Sequence, residues 1–302
     1  ADIGASAYFY PCDLIEDPSP SSGCSYGNHA EMLYACPPNM LPSYMGTPMA
    51  IVETMSHEST HMIYFNRKFL LNDQALAFEN VYLNEGLAAM GQDLSGMAAG
   101  NFFVMQAGLE EIEDFSGLDM LSSTGSYIPS LDGVLRGVAY LVQRYLYDMN
   151  GGDVVETDGS LTDAGSIAWL NSYIGDPELG IGNISAHMGD REVREVLFDF
   201  VTALMLSNRG PGSAPISSDP AFNYLPTQVD PLTDRVRGVD TFGSFHDMFY
   251  LTGPAYATID SNDGLVDSTG VQYIVFEAAG PAGITLDVAP EAAAWVRMAR
   301  IE

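Results

Sequence analysis

The stretch His57-Glu58-Ser59-Thr60-His61 places the strongest constraint on how this chain folds. It lies within residues 49 to about 71, a run without proline or glycine in which apolar residues recur near helical spacing. Positions four residues apart lie one turn above each other on an α-helix. The sequence therefore predicts a helix on which His57 and His61 aim their imidazole nitrogens at one point, as two ligands of a divalent ion do.

Glu58 follows His57 directly and is displaced around the helix from the two histidines. It is therefore not the natural third ligand, but it can reach a water molecule at the ion and is the predicted general base. The alternative is that both histidines are ordinary core residues. Glu58 would then be a buried carboxylate without an obvious Lys or Arg partner, a problem that a bound cation removes.

A catalytic zinc ion has three protein ligands and one position open to water. Glu85 is the predicted third ligand, because it lies on a second predicted helix, residues 76 to 94, that one loop connects to the first. The neighbouring Gly86, Ala88 and Ala89 would let the two helices approach closely. The alternative is that Glu85 is a solvated carboxylate on the helix face. Other candidates for the third ligand are His29, His187, His246 and Glu79, the last of which we expect to be exposed.

This arrangement resembles the gluzincin group of zinc metallopeptidases, the clan that includes thermolysin and aminopeptidase N, and in particular the hyicolysin-type bacterial metallopeptidases. The similarity is good over about residues 25 to 150 and weak elsewhere. It is carried by residues 28–34, 56–63, 82–88 and 140–146.

The resemblance implies a zincin fold, in which His57, His61 and Glu85 bind zinc and Glu58 is the catalytic carboxylate. It also implies that the strand around Glu31, Met32, Leu33 and Tyr34 borders the cleft. An extended peptide substrate would add its backbone hydrogen bonds to that strand.

The chain departs from the family pattern in two places. Ala89 stands where thermolysin-like sequences have an aspartate that orients a histidine, so that Gln92 or Asp93 is left to give this support. Arg136 stands before Gly137, where we expect a tyrosine that stabilises the oxyanion. The permanently charged guanidinium of Arg136 could take that role, or Tyr127 or Tyr140 could.

The charge of the chain limits its partners. It has 40 acidic and 11 basic residues, a formal net charge of −29, and Lys68 as its one lysine. Nucleic acid is excluded as a partner, because phosphate contacts need clustered Lys and Arg. No apolar stretch reaches the roughly 20 residues that span a bilayer. A protein or peptide substrate is expected, and the oligomeric state is open.

The acidic surface and the cysteines favour a secreted or cell-surface protein, from a saline habitat, over an ordinary acidic cytosolic enzyme. The chain begins at Ala1 without the basic and apolar segments of a signal peptide, so we expect that a targeting segment was removed. Cys12, Cys24 and Cys36 predict one disulfide and one remaining thiol.

Two acidic groups offer oxygen ligands for Ca²⁺, although solvated turns explain both better. The first is the loop at residues 260–267. The second comprises Asp153, Glu156, Asp158 and Asp163.

These features predict an α+β, zincin-like fold with a mixed sheet against the active-site helix, a helical second part and a β-rich C-terminal appendage. Residues 1–245 would form the catalytic region and residues 246–302 the appendage. Apolar spacing predicts a third helix over about residues 131–149. Short β-like runs occur at residues 7–10 and 31–35, and strand-like alternation occurs at residues 271–276 and 283–288. The predicted function is zinc-dependent hydrolysis of peptide bonds. The alternatives are a catalytically inactive zincin-like binding or adhesion domain of an exported protein, and a structural domain without a metal.

Overall fold

The computed structural model describes residues 6–16, 18–19, 24–43, 45–72, 79–112, 132–207, 214, 216–245, 249–258, 271–275 and 296–297. Four of the sequence predictions lie outside these residues. They are Tyr127, His246, the acidic loop at 260–267 and a strand predicted at 283–288.

The described residues contain seven α-helices. They are α1 (Pro48–Phe65), α2 (Val81–Leu94), α3 (Asn101–Glu110), α4 (Asp132–Met149), α5 (Ser166–Gly175), α6 (Gly180–Ala186) and α7 (Val193–Leu206). Thr47 caps α1 by accepting a hydrogen bond from the Ala50 amide, and Pro48 occupies the first turn, where no donor is lost. A π-helical turn, Asn66–Leu70, continues α1. The predicted metal helix is therefore present over nearly its whole expected length.

Glycines at the helix contacts bring α2, α3 and α4 close together. A Cβ on Gly137 of α4 would overlap the Val104 carbonyl of α3, and one on Gly86 of α2 would overlap the backbone of Ala139 in α4. Gly91 of α2 packs in the same way against Thr60 of α1. The prediction that Gly86 serves the contact between α1 and α2 was wrong, because Gly86 faces α4 and Gly91 makes that contact.

The described strands form five two-stranded sheets. Four pairs are antiparallel, and β9 with β10 is parallel. The strands are β1 (Ala7–Phe9), β2 (Leu33–Ala35), β3 (Asp153–Val155), β4 (Leu161–Asp163), β5 (Gln228–Asp230), β6 (Arg235–Arg237), β7 (Ser244–Phe245), β8 (Phe249–Tyr250), β9 (Tyr256–Thr258) and β10 (Tyr273–Val275). The sheet β1–β2 packs against α1, which confirms that a sheet lies at this helix. The described pair is antiparallel, and not mixed as predicted. Helices with small sheets confirm a mixed α and β architecture.

A buried ion-pair network around Arg144 of α4 joins the helices to the later hairpins. The guanidinium donates to Asp93 of α2 at 2.6 Å and to Asp148 at 2.9 Å. The second oxygen of Asp93 accepts the Gly238 amide at 2.9 Å. Both oxygens of Asp93 therefore have partners in the core. The prediction that Asp93 orients a histidine was wrong.

The described part of the C-terminal segment contacts the helical body. The Ala255 amide donates to the Leu109 carbonyl of α3 at 3.0 Å, and the hairpin β7–β8 runs across the predicted boundary at residue 245. Among the described residues, no helix combines the length and the apolar character needed to cross a membrane.

Candidate metal centre

Helices α1 and α2 bring His57, His61 and Glu85 together. The Nε2 atoms of the two histidines are 3.1 Å apart, Glu85 Oε2 is 3.1 Å from His57 Nε2, and Glu85 Oε1 is 3.7 Å from His61 Nε2. Ligand atoms about 2.1 Å from one ion at tetrahedral angles lie roughly 3.4 Å from each other. The three side chains can therefore hold a metal ion, and no other group of three or more His, Cys, Asp or Glu in the described part of the chain can do so.

Side-chain amides contact the outer nitrogen of each imidazole. Gln92 Oε1 lies 3.1 Å from His57 Nδ1, and Asn84 Oδ1 lies 3.1 Å from His61 Nδ1. The structure thus brings Gln92 to a histidine, as the other prediction had it. We did not predict the role of Asn84, although its position directly before Glu85 was a signal. Both contacts turn Nε2 toward the shared point.

The electrostatics of the three side chains suit a cation. Burial raises the pKa of Glu85, but the hydrogen bond with His57 and the charges of both imidazoles and Arg136 outweigh it and lower the pKa to about 2. Burial lowers the pKa of His61 to about 4, with help from the charge on His57. Burial also lowers the pKa of His57, but Glu85 outweighs it and the net shift is upward. Near neutral pH, Glu85 is an anion and His61 is neutral, which are the states that bind metals.

Glu58 lies beside this centre, at the junction of α1 and β1. Its Oε2 accepts the main-chain amide of Phe9 at 2.9 Å. Burial raises the pKa of Glu58, and the nearby His57 and the Phe9 amide oppose that rise. A buried carboxylate with a raised pKa is suited to take up and release a proton. Sequence reasoning missed Phe9, because a backbone donor leaves no signal in the residue type.

Arg136 on α4 contacts the centre through the carboxylate of Glu85. Its Nη1 donates to Glu85 Oε2, and its Nε donates to Asp132 at 2.9 Å. Tyr140, one turn further along α4, is 0 % exposed, and burial and the charge of Asp93 raise its pKa well above the ordinary value. Of these two predicted oxyanion donors, the structure brings Arg136 to the metal ligands and places Tyr140 in the core.

The predicted substrate strand is displaced from Glu58 by one strand. Leu33 and Tyr34 belong to β2, and Glu31 and Met32 precede it. The Cys36 amide donates to the Ser6 carbonyl, so the alternating pattern turns the Phe9 amide away from β2 and toward Glu58. The strand edge that faces Glu58 is therefore that of β1, and the substrate role of residues 31–34 stays a prediction.

The other predicted ligands that the structure describes, His29, His187 and Glu79, lie apart from the centre. His187 contacts Ser172 and the Asn183 carbonyl. His29 is exposed and has a φ of 55°. The prediction that Glu79 is exposed was wrong: its side chain is 3 % exposed and pairs with Lys68.

The acidic side chains at residues 153–163 contact separate partners and do not converge on one point. Asp158 accepts the Ser160 amide, Asp163 accepts the Gly165 and Ile167 amides, and Asp153 lies near Arg144. These contacts fit turns and a buried ion pair, and they give no support to a Ca²⁺ site.

The disulfide Cys12–Cys24 precedes β2 in the chain, with 5.4 Å between its Cα atoms, and Cys36 takes no part in it. The prediction of one disulfide and one remaining thiol is confirmed.

A comparison with protein-family models and with curated proteins found no match to this chain.

Proposed function

We propose that this protein is a zinc-dependent peptidase of the gluzincin type. The observation that carries the proposal is the convergence of His57, His61 and Glu85 on one point, with the carboxylate of Glu58 beside it. Two imidazoles and a carboxylate form a donor set typical of catalytic zinc. The resemblance of the motif to gluzincins agrees with this donor set.

Zinc held by these three residues would make a water molecule nucleophilic near neutral pH and would polarise the scissile carbonyl. Glu58 takes the proton from the attacking water, because burial makes its carboxylate a stronger base than an exposed glutamate. Glu58 then delivers this proton to the leaving amine. Arg136 supplies the positive charge that stabilises the carbonyl oxygen as negative charge develops on it.

The site of action that we propose is outside the cell, as a secreted or cell-surface protein. The disulfide Cys12–Cys24 supports this proposal, because disulfides persist in oxidising compartments. The net charge of −29 supports it too, since an acidic surface keeps a protein soluble at high ionic strength.

Glu58→Gln tests the peptidase proposal. We expect the variant to retain the zinc content of the wild-type protein and to lose cleavage of casein and of a peptide library, because the amide cannot take up the proton. Glu110→Gln, on the exposed face of α3, is the matched control and should leave cleavage unchanged. Wild-type cleavage by Glu58→Gln would refute the proposal.

A second candidate is an inactive zincin-like domain that binds or adheres without cleaving. It is favoured by the pairing of Arg136 with Glu85, which occupies the guanidinium, and by the burial of Tyr140, which keeps its hydroxyl from a substrate. Zinc analysis does not separate the two candidates, because both bind the ion. Absence of cleavage across a peptide library by zinc-loaded wild-type protein would favour the second.

A further inference from the structure

Gln92 of α2 connects His57 to the backbone of α1. Its Oε1 lies 3.1 Å from His57 Nδ1, and its Nε2 donates to the Glu53 carbonyl at 3.1 Å. The side chain is buried, with 8 % of the residue exposed. Both polar ends of one buried amide therefore have a partner on α1, one turn apart.

The Glu53 carbonyl fixes which end of the amide faces His57. A carbonyl oxygen only accepts hydrogen bonds, so the NH₂ group of Gln92 must be the end that faces Glu53. The oxygen of Gln92 then faces His57 Nδ1, which must carry a hydrogen to donate to it. The lone pair of a neutral His57 is thereby left on Nε2, the atom that lies 3.1 Å from both His61 Nε2 and Glu85 Oε2.

The same geometry explains why this position holds an amide. A glutamate there would place a carboxylate oxygen against the Glu53 carbonyl, with no hydrogen between the two acceptors. The side chain of Glu53 is itself held by Arg235 of β6, so that this part of α1 is anchored from the C-terminal half of the chain. Ala89, one turn before Gln92 on α2, carries only a methyl group and cannot accept from His57.

We propose that Gln92 is the positioning residue of His57, and that its neutral amide fixes the tautomer and the ring orientation for metal binding. This inference rests on the metal site of the proposed function. It concerns how tightly the ion is held and not how a peptide is cleaved.

Gln92→Met tests the inference, because methionine keeps the length of the side chain but accepts no comparable hydrogen bond. We measure zinc affinity by competition with a chromophoric chelator at pH 7.5, and the melting temperature of the metal-free protein. We expect zinc binding to weaken by roughly tenfold, the lower end of the range for partners of metal-binding histidines. In the Co²⁺-loaded protein, one paramagnetically shifted imidazole N–H proton should exchange faster with solvent.

Gln143→Met is the matched control. Gln143 is also buried, on α4, and donates to Tyr173 at 3.0 Å without touching a metal ligand. We expect this variant to lower the melting temperature and to leave zinc affinity and the Co²⁺ spectrum unchanged. A merely structural role for Gln92 would give the same pattern in Gln92→Met.

Gln92→Glu keeps an oxygen toward His57 and loses the donor to Glu53. It should bind zinc more tightly than Gln92→Met while its metal-free form melts at a lower temperature than the wild-type protein. Zinc affinity of Gln92→Met within twofold of wild type, or no recovery in Gln92→Glu, would overturn the inference. A wild-type protein that binds zinc but cleaves no peptide refutes only the proposed function, because the affinity ratios need no substrate.

Discussion

The main-chain amide of Phe9 donates a hydrogen bond to Oε2 of Glu58, with 2.9 Å between the two atoms. This bond joins the edge of β1 to the carboxylate that follows His57 on α1. A hydrogen bond to a charged group contributes about 1.5 to 3 kcal/mol. The first strand of the chain therefore helps to hold the general base that we propose.

Replacing Phe9 with proline removes the only hydrogen on that backbone nitrogen. Because the Phe9 amide faces away from β2, the ladder between the two strands loses no hydrogen bond. We expect kcat for peptide cleavage to fall about tenfold, equivalent to one such bond, with zinc content unchanged. Phe9→Leu keeps the amide and an apolar side chain against Phe65, and is the control. Equal kcat values for the two variants would contradict a role for the amide.

Arg136→Gln should affect metal binding and catalysis in opposite directions. The guanidinium pairs with Glu85, so its removal frees that carboxylate and takes a positive charge away from the ion. We expect zinc affinity to rise several-fold, whereas kcat falls by about 10² to 10³ if the charge stabilises the oxyanion. Chelator competition and steady-state kinetics measure the two effects. An unchanged kcat would remove Arg136 from the proposed mechanism.

Glu79→Gln should destabilise the fold strongly. Glu79 pairs with the fully buried Lys68 at 3.4 Å and also accepts from the Tyr64 hydroxyl and the Gly180 amide. Removing its charge takes the paired counter-ion away from a buried ammonium, which costs about 3 to 5 kcal/mol in the free energy of unfolding.

Urea denaturation of the metal-free protein measures this loss. The exposed Glu110, replaced by Gln, should change the free energy of unfolding by less than about 0.5 kcal/mol. The double variant Lys68→Met/Glu79→Gln should recover part of the stability, because it no longer buries an unpaired charge. A double variant less stable than Glu79→Gln would show that Lys68 is not the cause.

Asp240 should make stability depend on pH. Burial raises its pKa from 3.8 to about 6, against the hydrogen bond from the Phe242 amide. The folded protein therefore binds this proton more tightly than the unfolded chain does. The resulting stabilisation is complete below about pH 4 and is lost as the pH rises through 6.

Asp240→Asn removes this titration. Its melting temperature should exceed that of the wild-type protein at pH 8 and should lose that advantage at pH 4. Asp148, whose pKa burial also raises to about 6, titrates in both proteins, so the difference between their melting temperatures isolates Asp240. A difference that does not change with pH would contradict the assignment.

The parts of the fold that depend on local periodicity could be predicted from sequence. Helices α1 and α4 follow from their apolar spacing, and the pairing of His57 with His61 follows from helical geometry alone. The choice of Glu85 follows from its place on the next predicted helix, one loop after the first, and the resemblance to a family implies the same residue.

The remaining contacts depend on tertiary packing. We did not predict α3. We also did not predict that β1, and not β2, faces Glu58, because two short β-like segments give no information about which of them lies nearer to α1. The contact of Gly86 with Ala139 of α4 has the same origin: a small residue marks a close approach but does not name the partner. The role of Phe9 depends on a backbone atom, which every residue except proline has.

Lys68, the single lysine of the chain, is completely buried in the π-helical turn that continues α1. Reagents that acylate primary amines will therefore not reach this side chain while the structure is intact. Acylation of Lys68 requires that the end of the helix open. Timed labelling followed by mass spectrometry would thus report, at one residue, how often this end of the molecule opens in the native state.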